Sequence, residues 1–180
     1  VFSRKNGLMD GVQSWWYENG RKEKEGNYKN GIAVGLWKYW YESGEKKQEL
    51  KYLEGKLEGL STWFRENGGK LQECNYKKGK LEGISIWFHG NGSKKSEETY
   101  REDTLDGLSI MWHENGQKKK EGNYKNGKEN GLWKFWYENG QKETEGNYKE
   151  GKREGVFIYY DKTGKETSRE SFFQGILTSE

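Results

Sequence analysis

Two histidines are the first candidates for chemistry in this sequence, because imidazole can ligate a metal or move a proton near neutral pH. His89 and His113 are 24 residues apart. If they occupy the same point of neighbouring β-hairpins, the strand spacing separates them by about 10 Å. A zinc site needs at least three protein ligands close together, and two histidines at that distance make a poor one. We therefore expect two surface histidines and no metal site.

Other reactive side chains form no catalytic set. Cys74 is the single cysteine, which excludes an intrachain disulfide and a cysteine-based metal site, and we expect it to fill a packed face. Carboxylates recur at fixed positions, whereas a catalytic pair needs a local asymmetry that separates two pKa values. The glycines lie in turns and do not precede a helix, as a phosphate-binding loop requires. We expect a protein that is not an enzyme and carries no cofactor.

Recurrence is the main signal of the sequence. GNYKNGK at Gly122 and GNYKEGK at Gly146 are two copies of one phrase, and CNYKKGK lies two periods upstream. Residues 1–10 match the end of a unit, so the sequence begins inside a repeat. Such a fixed period indicates a repeat architecture. We expect one continuous repeat domain over residues 1–180, with residues 155–180 as an irregular capping unit. Full units begin at Gly11, Gly35, Gly59, Gly83, Gly107 and Gly131.

Each unit contains the pattern of a β-hairpin. Its sixth position is always aromatic and its tenth is always glycine. Aromatic and β-branched residues bounded by Asn-Gly favour strands joined by tight type I′ turns. We predict an all-β fold without notable helices: an elongated, twisted single sheet of antiparallel hairpins in 24-residue repeats. The second position is aliphatic in every unit and comprises Val12, Leu36, Leu60, Ile84, Leu108, Leu132 and Val156.

We expect a two-residue loop at Asn139-Gly140, and such a loop would fix the strand register. In that register Lys134 faces Glu145, and Trp133 faces Gly146, where an aromatic ring can cover a bare backbone. The third, fifth and seventh positions then share one face of the sheet. A three-residue loop would exchange these partners, because a slip of one residue moves every side chain to the other face.

The repeated motif carries a family resemblance. Tyr-x-Asn-Gly-Lys, followed by Gly-aliphatic and Trp-Tyr-Glu-Asn-Gly, resembles the MORN repeat variant, the bacterial form of the MORN repeat. Proteins with this pattern are widely labelled as YwqK-type antitoxins. The likeness covers essentially the whole chain. It implies an array of antiparallel hairpins used for binding, and MORN proteins at large are linked to protein scaffolding, dimerisation and lipid contact.

Variation between units marks a candidate binding face. In the middle units the third position is serine (Ser61, Ser85 and Ser109), and arginine or histidine replaces tyrosine at the seventh. Columns that vary are candidates for partner contact, and drift among tolerant surface sites explains the pattern equally well. The candidate face consists of members of the third, fifth and seventh positions: Trp15, Trp37, Tyr39, Trp63, Arg65, Trp87, His89, Met111, His113, Trp133, Phe135 and Tyr137.

The composition and the aromatic rows favour a protein over a nucleic acid as the partner. Charged residues make up 34% of the chain, yet its net charge is only +3, and acidic residues flank the lysines. Nucleic-acid binding needs unmatched Lys and Arg, so we expect none. Rows of Trp and Tyr are anchors that protein interfaces favour, so we expect a protein-binding scaffold. An antitoxin or immunity role is its sharpest form, and that role rests on the family label alone.

Two alternative functions and the cellular compartment stay open. The aromatic face could hold a glycan, a choline-like group or a lipid headgroup through ring stacking and cation–π contacts. The repeats could instead be a structural spacer whose exposed edge strands pair in a homodimer. An antitoxin would be cytoplasmic, whereas a protein with a removed signal peptide would be secreted or on the cell surface.

Overall fold

The computed structural model describes residues 3–179, and every regular element in that range is a β-strand. Within the range, β1 and β2 form a two-stranded sheet and sixteen strands form a second, antiparallel sheet. The strands are β1 Arg4–Lys5, β2 Leu8–Met9, β3 Gly11–Trp16, β4 Lys22–Lys29, β5 Ile32–Trp40, β6 Lys46–Leu53, β7 Lys56–Leu57, β8 Gly59–Phe64, β9 Lys70–Lys77, β10 Lys80–Phe88, β11 Lys94–Arg101, β12 Thr104–Trp112, β13 Lys118–Lys125, β14 Lys128–Trp136, β15 Lys142–Lys149, β16 Lys152–Tyr160, β17 Glu166–Phe173 and β18 Ile176–Ser179.

The large sheet follows chain order. Successive strands are neighbours, and the short β7 pairs with β6 next to β8. Two compact units make up the chain, the first ending at Gly83 and the second beginning at Ile84. Residues 3–179 contain no helix with the length and apolar character of a membrane span. The all-β class and the hairpin repeat predicted from the sequence are confirmed.

The Asn-Gly pair that follows the Tyr-Lys motif of a unit forms the predicted type I′ turn. Asn126 and Gly127 have φ angles of 50° and 77°, and the flanking residues Lys125 and Lys128 are Cα partners. Two positive φ angles between paired residues define a two-residue type I′ turn. Asparagine and glycine tolerate this conformation better than other residues, which explains their recurrence there.

The other Asn-Gly pair forms a longer loop than predicted. The Tyr137 amide donates to the Gln141 carbonyl at 2.9 Å, and the Gly140 amide donates to the Tyr137 carbonyl at 2.9 Å. Glu138, Asn139 and Gly140 therefore form a three-residue loop, in which only the glycine has a positive φ, 83°. The two-residue loop predicted here is wrong. A three-residue loop uses glycine in the left-handed region to close the hairpin.

The predicted register is nevertheless confirmed, because a bulge offsets the longer loop. Lys134 is the Cα partner of Glu145, and Trp133 is the partner of Gly146. The pairing shifts by one residue between Phe135 and Trp136. The extra loop residue and the bulge cancel, so the side chains beyond the bulge keep their predicted faces.

A thin core lies on the face that carries the third position. An ideal Cβ added to Gly122 would lie 2.1 Å from Trp133 Cδ2, so the indole covers this glycine. Gly146 is covered by Phe157 of the following unit, not by Trp133 as predicted. The reason is a second register shift, between β13 and β14, in which Gly122 alone opposes residues 131–133. Each ring therefore packs on the glycine of the preceding unit.

Candidate functional site

The structure removes two tryptophans from the predicted binding face. Trp37 is 4% exposed and Trp133 is 1% exposed, so neither can contact a partner in this conformation. Edge-on contacts with tyrosines of the neighbouring strands surround both rings. The ring centroids of Tyr28 and Trp37 are 5.0 Å apart, and those of Tyr124 and Trp133 are 5.1 Å apart. These tryptophans are core residues of a single-layer sheet.

The serines of the third position are buried as well. Their small size compensates for a side chain at the sixteenth position of the preceding unit. In the first compact unit Leu50 precedes Ser61, whereas Gly26 precedes Trp37. In the second, Glu98 precedes Ser109. The third-position variation that suggested a contact surface is thus explained by packing between successive repeats.

The seventh position holds successive repeats together. The Tyr137 hydroxyl donates to the Tyr160 carbonyl at 2.9 Å, and His113 Nε2 lies 2.9 Å from the Trp136 carbonyl. Since a carbonyl only accepts, His113 carries a proton on Nε2. The same bond recurs elsewhere, from Tyr17 to Trp40, from Tyr41 to Phe64 and from His89 to Trp112. Histidine therefore replaces tyrosine as an equivalent donor.

The expectation of surface histidines is wrong, because both side chains are only 12% exposed. Their Nδ1 atoms lie 3.9 Å from carboxylates of Glu114 and Glu138 in the next turn. Among residues 3–179 no group of three or more His, Cys, Asp or Glu side chains could hold a metal ion. Cys74 is 1% exposed, as expected for a residue that fills a packed face.

A lysine, a glutamate and a ring form a repeated cluster on the opposite face. Lys142 Nζ lies 2.8 Å from Glu145 Oε1 and 5.3 Å from the ring centroid of Tyr160. The hydrogen bond from Lys142 lowers the pKa of Glu145, and a bond from Tyr160 adds to this effect against the opposing influence of burial. Equivalent ion pairs are Lys22–Glu25, Lys46–Glu49, Lys70–Glu73, Lys94–Glu97 and Lys118–Glu121.

The fifth-position rings cover the buried tryptophans and remain partly exposed. In the first compact unit Trp15 and Tyr39 stack on Trp37, with centroids 5.9 Å and 6.3 Å away. Burial, together with the nearby Tyr52, raises the pKa of Tyr39 to about 12. In the second compact unit Phe135 stacks on its core tryptophan in the same way, at 6.3 Å.

The remaining members of the predicted face have varied surroundings. Trp63 lies 6.2 Å from the Tyr76 ring in a tilted arrangement, and Trp87 is partly buried. The Arg65 guanidinium donates to the Lys70 backbone carbonyl. None of these three residues lines the groove described next.

Four members of the predicted face line one groove in the second compact unit. The groove has a volume of about 660 Å³, and Met111, His113, Phe135 and Tyr137 contribute to its wall. Its other lining residues are mostly charged or polar: Lys119, Lys120, Trp136, Glu138, Asn139, Glu143 and Lys162. An apolar centre with a polar rim is the usual composition of a protein interface.

The repeat pattern matches a known family along most of the chain. The family model of the MORN repeat variant matches six tandem segments, residues 9–30, 33–54, 57–78, 81–102, 105–126 and 129–150. The chain belongs to the MORN repeat variant family. Its MORN repeats identify a repeat scaffold, and the matched segments recur with the period of the hairpins in the structure. A comparison with curated proteins finds no significant match.

This MORN repeat protein also has an exposed aliphatic surface that its sequence pattern did not predict. The second-position aliphatic side chains are 42–60% exposed, although an invariably aliphatic column normally indicates a core. They lie on the face opposite the buried third position, because successive strand residues point to opposite sides. The missed signal is that the paired seventeenth position is polar: Leu132 pairs with Asn147, and Val156 pairs with Ser171.

Proposed function

We propose that this MORN repeat protein is a non-catalytic scaffold that binds a protein partner in the groove of its second compact unit. The groove of about 660 Å³ carries this proposal. Met111 and Phe135 supply apolar area whose removal from water favours association. Lys119 and Glu143 on the wall provide both signs of charge, which select a partner with complementary groups.

A protein partner fits the groove better than a choline-like ligand. Lys119, Lys120 and Lys162 all line it, and these ammonium groups would repel a small cation. Trp136, an aromatic residue of the groove wall, already has Lys118 Nζ 5.7 Å from its ring centroid as a cation–π partner.

His113, the histidine of the groove wall, already uses both ring nitrogens within the repeat array. His113 uses Nε2 to bind the Trp136 carbonyl, and its Nδ1 faces the Glu138 carboxylate at 3.9 Å. A general base needs a nitrogen or oxygen that can reach a substrate proton. The commitment of His113 to the backbone of the next repeat supports a structural role for this residue.

Affinity capture from a source-cell extract tests the proposal. The wild-type chain should retain a partner protein that Met111→Glu loses, because the new carboxylate would lie in the apolar groove. Leu36→Glu is the matched control, since it introduces the same charge at an exposed aliphatic position of the first unit. A second variant, Lys119→Glu/Glu143→Lys, changes only the exposed rim and should weaken capture without unfolding the chain. Equal capture by every variant would rule out the groove.

The finer form of the proposal is the antitoxin role implied by YwqK-type proteins, and its support is the sequence resemblance. The captured partner, expressed alone, should then arrest growth. Co-expression of the wild-type chain should restore growth, and Met111→Glu should not. A captured partner that leaves growth unchanged would contradict the antitoxin role while leaving the scaffold proposal intact.

A further inference from the structure

The second compact unit carries an exposed aliphatic row on the face opposite the groove. The row consists of Ile84, Leu108, Leu132 and Val156, which expose 42–48% of their surface. Successive members are two strands apart, which corresponds to about 10 Å. Water-exposed aliphatic side chains at a regular spacing form an apolar track across the strands, and such a track is a feature of docking surfaces.

Four lysines lie beside the aliphatic row. Lys125 and Lys128 are Cα partners, as are Lys149 and Lys152, on the consecutive strands β13–β16. Lys149 is two residues beyond Asn147, the partner of Leu132, so it shares the face of the aliphatic row. Two residues of strand correspond to about 7 Å. We call Lys125, Lys128, Lys149 and Lys152 the lysine row.

The charge of the lysine row is only partly compensated. None of its members takes part in an ion pair among the described residues, whereas Lys142 and its equivalents are bound to glutamates. Lysines of the row line two shallow grooves of about 220 Å³ and 460 Å³. Glu150 lines both grooves. Glu154 lines the larger one, and its Oε2 accepts a hydrogen bond from the Gln174 amide at 2.9 Å. Four positive charges against two negative ones leave this edge basic.

We propose that the aliphatic row and the lysine row together dock an acidic amphipathic helix of a protein partner. Helix residues seven apart are separated by about 10.5 Å along the axis, close to the spacing of the aliphatic row. Leucine-type side chains on one stripe of the helix would contact the row, and carboxylates on the flank would meet the lysines. This surface is separate from the groove and goes beyond the proposed function.

A second copy of the chain is a poorer occupant. Its regular row of glutamates on the same face is already bound to lysines, as in Lys118–Glu121 and Lys142–Glu145. These glutamates are therefore not free to pair with the lysine row of another copy, whereas the carboxylates of an acidic helix are. Charge complementarity thus favours a foreign partner.

A synthetic helical peptide provides the test. The probe is a peptide of about 21 residues with leucine at every seventh position and glutamate on both flanks. The control peptide has lysine in place of glutamate. Fluorescence anisotropy should show binding of the acidic peptide only, weakened by salt. Lys128→Glu/Lys149→Glu should lower its affinity at least tenfold. The matched charge reversal Lys119→Glu/Lys162→Glu, at the groove on the other face, should leave it within twofold.

Several results would overturn the proposal. The acidic peptide could fail to bind, or both charge reversals could weaken it equally. Binding to phosphatidylserine vesicles without binding to the acidic peptide would assign the surface to a membrane. A concentration-dependent dimer that is lost in Leu132→Glu would assign it to a second copy. The lysines are exposed, so circular dichroism should show both charge-reversed variants folded.

Discussion

At the residue scale, the third position of one repeat and the sixteenth of the preceding repeat are fitted to each other in size. Trp133 lies over Gly122, and no side chain could occupy that glycine position without displacing the indole. Ser61 follows Leu50 and is itself buried. Volume is therefore shared between two residues of different repeats, as close packing requires.

Exchanging the large and the small side chain at these two positions should show a strong energetic coupling between them. Gly122→Leu should destabilise the chain, because its side chain would collide with Trp133, and overpacking costs about 1–3 kcal/mol or more. Trp133→Ser should cost about 3–5 kcal/mol through the cavity it leaves. The double variant Gly122→Leu/Trp133→Ser reproduces the arrangement of Leu50 and Ser61. Urea unfolding should therefore show a loss of stability at least about 1 kcal/mol smaller than the sum of the two single losses. Gly122→Leu combined with Trp37→Ser, in the other compact unit, should be additive. Additivity in both pairs would contradict the size fit.

The shifted pKa values of Glu145 and Tyr124 predict the pH range in which these residues stabilise the fold. The folded-state pKa of Glu145 is lowered from 4.5, first by the Lys142 hydrogen bond. Its contribution is present above pH 4.5 and is lost as the pH falls through the lower folded value. The pKa of Tyr124 is raised from 10.0 to about 12, mainly by burial and then by Glu129. Its contribution is present below pH 10.0 and is lost as the pH rises through about 12.

Thermal unfolding across pH tests both limits. Tyr124→Phe should flatten the loss of stability between pH 10 and 12, since the phenol that ionises is removed. Glu145→Gln should flatten the loss below pH 4.5. An alkaline profile that is identical in wild type and Tyr124→Phe would show that this tyrosine is not protected in the folded state.

At the element scale, each hairpin is tied to the next by side chains that reach across to its backbone. His113 Nε2 contacts the Trp136 carbonyl, and Asn115 Nδ2 donates to the Glu138 carbonyl at 2.6 Å. Asn115 Oδ1 also accepts the Gln117 amide of its own loop at 3.0 Å. The Glu-Asn-Gly motif therefore serves two purposes, to close one loop and to dock it on the next.

Substitution of His113 tests this tie between hairpins. His113→Tyr should retain most of the stability, because tyrosine makes the same bond in other repeats, as from Tyr137 to Tyr160. His113→Phe removes the donor and leaves a carbonyl without its partner, which costs about 1–3 kcal/mol. Urea unfolding of the two variants gives the comparison. Equal stability of His113→Tyr and His113→Phe would show that ring packing alone holds the position.

The strands and their register were largely predictable, and the burial of particular columns was not. The pair Lys134–Glu145 was predictable because opposite charges are favoured cross-strand partners, and the pair Trp133–Gly146 follows from the same register. The loop at Asn139 was not, since Asn-Gly suits both a type I′ turn and a three-residue loop, and a bulge restores the same register. Serine burial and aliphatic exposure were missed because sequence patterns assign polar columns to the surface and apolar columns to the core.

At the scale of the whole molecule, repetition supplies the scaffold and the aliphatic row, and departures from repetition supply the groove. The groove depends on Met111 and Phe135, which differ from the tryptophans and tyrosines at the fifth position of other units. The aliphatic row depends on a column that no apolar residue covers. Both surfaces belong to the second compact unit and face opposite sides of its sheet.

Photo-cross-linking at the groove tests the central claim, that a protein partner binds there, most directly. A benzophenone attached to Lys119→Cys would lie at the groove wall, and the native Cys74 is buried and shielded from labelling. Lys47→Cys is the matched control, because it holds the same repeat position in the first compact unit. We expect a single cross-linked protein from Lys119→Cys in source-cell extract and none from Lys47→Cys. The same product from both sites, or no product from Lys119→Cys, would contradict this claim.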